Sequence, residues 1–127
     1  MDFPIQQQGS CLIASIPTAL VDEDLTHLRD QIVEQVRRCR FRGVIVDLAG
    51  VDVVDSFATR TLGDLAANIR RRGAEMVIVG IQPDVAIALA RFGLRLDVEA
   101  TVVDTDAGLA YLNRRARPPK KRIRGRQ

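Results

Sequence analysis

Gly43-Val44-Ile45-Val46-Asp47-Leu48 and, four residues on, Asp52-Val53-Val54-Asp55-Ser56-Phe57 form the stretch that decides the fold. The first run is apolar at successive positions, so both faces of its strand must be covered, as in the interior of a sheet flanked by helices. The second run turns acidic and polar, and apolar residues then recur at helical spacing: Ala58, Leu62, Leu65, Ala66 and Ile69. The unit is a strand, a short loop and a helix, with Ser56 at the helix N-terminus. Loops at the C-terminal ends of parallel strands are the usual place for function in open α/β sheets.

Downstream, Arg70-Arg71-Arg72-Gly73 closes this helix with cations and a glycine, and Met76-Val77-Ile78-Val79 reads as another doubly covered strand. Gly80-Ile81-Gln82-Pro83-Asp84 is a loop in which Pro83 can start a helix, whose inner face is Val85, Leu89 and Phe92. A short strand is expected within 98–103. Asp104 or Thr105 then caps a final helix with Leu109 and Leu112 inward. Upstream, residues 3–7 are a weak strand candidate and Cys11–Ile16 a stronger one, stopped by Pro17, and the two form a hairpin. Asp22 caps a helix with Glu23 and Asp24 in its first turn and Leu25, Leu28, Ile32, Val36 and Cys39 on its apolar face. The order β-β-α-β-α-β-α-β-α predicts an α/β fold, a mainly parallel β-sheet with an N-terminal antiparallel edge and about four helices.

The 127 residues suit one domain, placed at 1–113, and aromatics make up only 4%, so its core is aliphatic. Residues 114–127 carry eight basic groups and no acid, while the first 113 residues carry eleven basic against sixteen acidic groups, a net −5. This basic tail has Pro118-Pro119 and, beyond them, no apolar residue except Ile123, and is expected to be disordered. With no aromatic for base stacking, it offers weak, salt-dependent polyanion contact at most, and nucleic acid is not expected as a main partner. No apolar run approaches the roughly 18 residues of a membrane span, and the N-terminus has no signal-peptide pattern. Two cysteines, Cys11 and Cys39, in such a chain favour a reducing, cytoplasmic compartment.

Enzymatic chemistry finds few footholds. Residues 1–113 contain no lysine, which excludes a Walker-type phosphate loop and Schiff-base chemistry, and His27 is the only histidine. His27 reads as a surface histidine of the first helix. Asp47, Asp52 and Asp55 suggest a metal or acid/base cluster, but strand-end aspartates of phospho-acceptor domains work with a lysine on a later strand, which is absent. No catalytic residue, metal or cofactor is expected, and a nucleotide-hydrolysing domain is disfavoured. Ser56 has two readings. As a helix N-cap it contributes about 1 kcal/mol. As a phosphorylation site it places new negative charge beside Asp52 and Asp55, at a helix N-terminus able to accommodate it.

Asp52-Val53-Val54-Asp55-Ser56-Phe57, Leu62-Gly63-Asp64 and Gly80-Ile81-Gln82-Pro83 together resemble a bacterial STAS domain of the stressosome antagonist type, over roughly residues 3–113. The Asp-Ser pair is shared with free-standing anti-sigma factor antagonists, so a small anti-anti-sigma protein acting by partner switching is the alternative. The resemblance implies a non-enzymatic, cytoplasmic scaffold that assembles into a large complex with itself and with sensor-bearing STAS paralogues. It implies sequestration of a switch serine/threonine kinase of the histidine-kinase-like ATPase type. The kinase leaves when it phosphorylates the serine matching Ser56, and a metal-dependent phosphatase resets the site. Thr59 is a weaker second candidate. Asp52, Asp55, Phe57, Arg60, Asp64, Gly80, Ile81 and Gln82 are expected to form the partner-binding surface around Ser56.

Overall fold

Spatial order follows chain order. The computed structural model describes residues 4–17, 21–94, 101–102 and 105–116, as β1 (Ile5–Gln8), β2 (Cys11–Ser15), α1 (Asp22–Arg38), β3 (Gly43–Asp47), α2 (Ser56–Arg71), β4 (Glu75–Val79), α3 (Pro83–Arg91), β5 (Thr101–Val102) and α4 (Thr105–Ala116). The sheet runs β1-β2-β3-β4-β5. β1 pairs antiparallel with β2 in a hairpin (Gln8 opposite Cys11), and the remaining pairs are parallel, with Val44 opposite Leu12 and Met76. The expected α/β architecture, antiparallel edge included, is the observed one. β1 forms one edge, and its exposed Gln6, Gln7 and Gln8 keep that edge polar.

Right-handed crossovers that add strands in one direction place successive helices on one side of the sheet. Alternation along the strands shows this. Leu12, Ala14, Val44, Val46 and Ile78 face a core built with α1, α2 and α3, through Leu28, Ile32, Leu62, Leu65, Ile69, Val85 and Leu89. The opposite residues, Cys11, Ile13, Ile45, Val77 and Val79, pack under Tyr111 and Leu112 of α4. Two glycines bring α4 close. A Cβ on Gly43 would lie 2.5 and 2.6 Å from the Leu112 methyls, and one on Gly108 would lie 3.0 Å from Val79 Cγ1.

Several element ends differ from the sequence reading. Val21, not Asp22, occupies the N-cap position of α1; Asp22 is already helical, because Leu25 N–H bonds the Val21 carbonyl. Cys39 falls just past α1 in extended backbone and is exposed, so the apolar face ends at Val36. Phe92 is the C-cap of α3 and is 47% exposed, because the helix ends before its ring can turn inward. α4 continues to Ala116, so Arg114 and Arg115 are helical although placed in the tail. The Asp104 cap, residues 98–100 and the tail from 117 lie outside the described residues.

The two cysteines are free and differ in surroundings. Burial pushes the Cys11 thiol up, and the Arg42 charge only partly opposes this. In the native protein Cys39 is expected to react rapidly with a thiol reagent and Cys11 only after unfolding; two equally fast thiols in native buffer would contradict this packing.

Candidate functional site

The site lies at the C-terminal edge of the parallel strands. After β3 the chain turns at once: Asp47 Oδ1 accepts from Ala49 N–H at 2.9 Å, and Val51 N–H bonds the Leu48 carbonyl at 2.9 Å. Such a local carboxylate turn is what a strand-end aspartate can supply. The loop is tied to its neighbours. Ile16 N–H bonds the Asp47 carbonyl at 3.0 Å, Leu48 N–H bonds the Val79 carbonyl at 3.0 Å, and Gln82 Nε2 donates to the Ala49 carbonyl at 3.3 Å. Gly80 makes the last junction possible. Its φ is +70°, and a Cβ there would lie 2.9 Å from Asp47 Oδ1 and 3.0 Å from Ala49 Cβ. The Gly80-Ile81-Gln82 loop is therefore brought against the loop leading to Ser56, with Gln82 exposed and Ile81 packed on the core.

The N-terminus of α2 carries a correction. Asp55 is the N-cap: its Oδ1 accepts from Ala58 N–H at 2.8 Å. Ser56 is the first helical residue, exposed, and its hydroxyl stands outside the capping bond. The cap reading therefore belongs to Asp55, whose carboxylate reaches the N–H of the third helical residue, Ala58, from extended backbone. Ser56, Arg60 and Asp64 follow at four-residue steps and are all exposed, so they share one solvent-facing stripe of α2. Phe57 is half-buried. Thr59 is 3% exposed, and its hydroxyl donates to the Asp55 carbonyl at 2.9 Å, so a kinase reaches it only if the first turn of α2 opens.

Two features of the site escaped the sequence reading. Val53 is 79% exposed between the two acids, the most exposed large apolar side chain among the described residues. Beside it a groove of about 350 Å³ runs between the starts of α1 and α2, floored by Ile16, Leu25, Leu48 and Leu62 and edged by Asp22, Asp52 and Asp55. The available signal was the Val-Val pair inside an acidic loop, which no strand or helix period demands. Asp47, Asp52 and Asp55 do not converge: among the described residues no three His, Cys, Asp or Glu side chains are grouped to hold a metal ion. Nor is any described helix long and apolar enough to cross a membrane. The edge is thus equipped to offer a hydroxyl, acids and apolar surface to another molecule.

Comparison with known proteins agrees with this architecture. No curated protein sequence matches the chain. Among solved structures, a serine-to-glutamate variant of Moorella thermoacetica RsbS superposes with a TM-score of 0.84 at 27% identity, over 91% of this chain and 98% of that one. A chain from the molecular architecture of the stressosome, described as a signal integration and transduction hub, superposes with a TM-score of 0.72 at 30% identity, over 91% and 100%. The anti-sigma factor antagonist SpoIIAA in its unphosphorylated form shares the fold, with a TM-score of 0.67 at 11% identity over 91% and 99%. The STAS domain family model matches residues 2–105. On this match, and on the stressosome likeness along nearly its whole folded length, the chain belongs to the STAS domain family.

Proposed function

We propose that this domain is a non-enzymatic, phosphorylation-regulated scaffold of a stressosome-like signalling complex in the cytoplasm. In this reading the unmodified edge holds a switch serine kinase of the histidine-kinase-like ATPase type. Phosphorylation of Ser56 releases the kinase, and a metal-dependent phosphatase restores the resting state. Sensor-bearing STAS paralogues supply the signal. The observation that carries the reading is the division of labour at the start of α2: Asp55 caps the helix, so the exposed Ser56 hydroxyl is spare.

The physics of the switch follows from that position. The N–H groups of Ser56 and Phe57 have no acceptor within the helix, and the positive end of the helix dipole favours an anion. A phosphate on Ser56 is therefore tolerated by the fold. It nevertheless adds about −1.5 to −2 charge beside Asp52 and Asp55. A partner surface matched to a hydroxyl, two carboxylates and the apolar Val53 then meets a doubly charged group in place of the hydroxyl. The fold persists while the contact is lost.

Incubating the protein with ATP and a cell extract of proven cognate kinase activity, then mapping by mass spectrometry, tests the reading. A single phosphate on Ser56 is expected. An unmodified Ser56, or a phosphate on Thr59 alone, rejects it. The surface has its own test. Val53→Asp is expected to leave stability within about 0.5 kcal/mol, as for most exposed positions, and to weaken kinase capture at least tenfold; unchanged capture would remove Val53 from the interface.

A further inference from the structure

The two ends of the parallel sheet carry opposite charge. α1 and α2 start at the C-terminal edge of the strands and run back to the N-terminal edge. α1 brings Arg37 and Arg38 to that far edge, and the connection to β3 adds Arg40 and Arg42, the last held by Asn113 of α4. α2 adds Arg70, Arg71 and Arg72, and all seven arginines are exposed. The ends of the two helices stand together. The Glu34 carboxyl is held below its ordinary range first by the Arg37 hydrogen bond, and then by the charges of Arg37, Arg38 and Arg72. Glu34, paired with Arg37 and Arg38, and Glu75, which accepts from Tyr111, are the acids of this edge among the described residues.

The edge bearing Ser56 has the opposite sign and a groove. Asp22, Glu23 and Asp24 open α1, and Asp52 and Asp55 precede α2. Acids at helix starts and cations at helix ends complement the helix dipoles, which accounts for the first turn of α1 and for Arg37 and Arg70. It does not account for Asp52, in the loop, or for Arg40 and Arg42, past the end of α1. Nor does it explain the shape between the helix starts. There the groove of about 350 Å³ has an apolar floor and carboxylates at its rim, Asp22, Asp52 and Asp55, with Val53 exposed beside it. An arginine side chain matches that combination. Its methylene stem can lie along an apolar floor while the planar guanidinium donates two parallel hydrogen bonds to a rim carboxylate.

We propose that the groove receives the arginine-rich edge of a second copy of this chain, so that copies associate head to tail. Every copy carries both halves of the contact, and one molecule cannot join them. α1 has 17 residues, which at 1.5 Å per residue separates the two edges by about 25 Å. Two copies stacked end to end bring the arginines of one onto the carboxylate rim of the next. Arginine suits this role better than lysine, because the guanidinium is less strongly hydrated and forks onto a carboxylate, and residues 1–113 contain no lysine. The two patches of such a contact differ, so it propagates into an open chain or closes into a ring of three or more copies and does not stop at a pair. A docked copy covers Val53 and stands beside Ser56, so it and a kinase bound at that edge exclude one another. The association itself needs neither a kinase nor a phosphate on Ser56.

The test is sedimentation velocity on the purified, unmodified full-length protein over a range of concentrations, without kinase or ATP, so its outcome is separate from that of the phosphorylation assay. At about 50 mM salt the mass is expected to climb past two copies as concentration rises, and at about 500 mM salt to fall toward the monomer, because salt screens contacts between exposed charges. Two variants each remove one half of the contact. Arg70→Gln/Arg71→Gln/Arg72→Gln removes part of the basic half, and Asp22→Asn/Asp52→Asn removes part of the rim while sparing the Asp55 cap. Each alone is expected to weaken association about tenfold or more, with circular dichroism showing that both remain folded. Mixed one to one, they still offer one intact acidic edge and one intact arginine edge, so association is expected to return and to stop at two copies. A wild type that stays monomeric at the lowest salt overturns the proposal and leaves the groove to the kinase. A wild type that stops at a pair, an arginine variant that associates like the wild type, or a mixture that stays monomeric overturns it as well.

Discussion

Ser56→Ala is expected to abolish phosphate incorporation by the cognate kinase while leaving folding stability within about 0.5 kcal/mol of the wild type. The second half of this expectation comes from the geometry. The capping bond runs from Ala58 N–H to Asp55, so removing the serine hydroxyl removes no cap, and alanine is the better helix former at an exposed position. Asp55→Ala gives the complementary result: loss of the cap, at about 1 kcal/mol, with the Ser56 hydroxyl still present. Denaturant titrations of the two variants, run beside the phosphorylation assay and kinase capture, separate structure from signalling. If Ser56→Ala lost a kcal/mol or more, the serine would be structural after all. If Ser56→Ala still incorporated phosphate at the wild-type rate, or released the kinase on stimulation, the switch would lie elsewhere. Ser56→Asp is a poor surrogate for the phosphate, since one carboxylate brings about half the charge and a planar shape.

The largest loss of stability is expected at the contact between α4 and the sheet. Leu112 is 1% exposed and covers Gly43, so Leu112→Ala should cost about 2–5 kcal/mol, the range for deleting a buried leucine side chain. The upper half of that range is favoured because α4 is what packs on this face of the sheet among the described elements. Gly43→Ala fails for the opposite reason. Its new methyl would sit 2.5 Å from Leu112 Cδ1 and 3.0 Å from the Glu75 carbonyl, an overpacking worth about 1–3 kcal/mol. The two lesions share one space. In the double variant the shortened side chain makes room for the added methyl, so the combined loss should fall short of the sum by about 1 kcal/mol or more. Additive losses would show that residues 43 and 112 do not meet.

The elements were legible because their periods are clean. Val44-Ile45-Val46 and Val77-Ile78-Val79 announce strands covered twice, and Leu25, Leu28, Ile32 and Val36 announce a helix with one wet side. The ends of elements were less legible, because caps are settled by backbone geometry and not by residue type. Asp55 and Ser56 are both good N-cap residues, and only the direction of the Asp55 carboxylate decides between them. Phe92 satisfied the helical spacing yet faces outward, since the helix stops one residue earlier. At the site, the strand-end placement of Ser56 and of Gly80-Ile81-Gln82 could be read from topology, but the hydrogen bond from Gln82 to Ala49 could not. Val53 was hidden for a related reason: an apolar residue in a sequence says that it prefers burial, and its 79% exposure is a statement about the loop. Arg37-Arg38 and Arg70-Arg71 are separate clusters in the sequence, and only the direction of the helices brings them to one edge of the sheet.

The agreement between chain order and sheet order sets the sequence of events during synthesis. β1 to β4 can each dock on the strand made just before, so contacts form between near neighbours and the loop-closure cost stays low. The helices α1 and α2 arrive in step and seal their side as it grows. The other side waits. Cys11, Ile13, Ile45 and Val77 are laid down early, but their cover, Tyr111 and Leu112, belongs to the last helix. A growing chain therefore carries a bare apolar sheet face until nearly the whole domain has emerged, and a stalled or shortened product would expose it to aggregation.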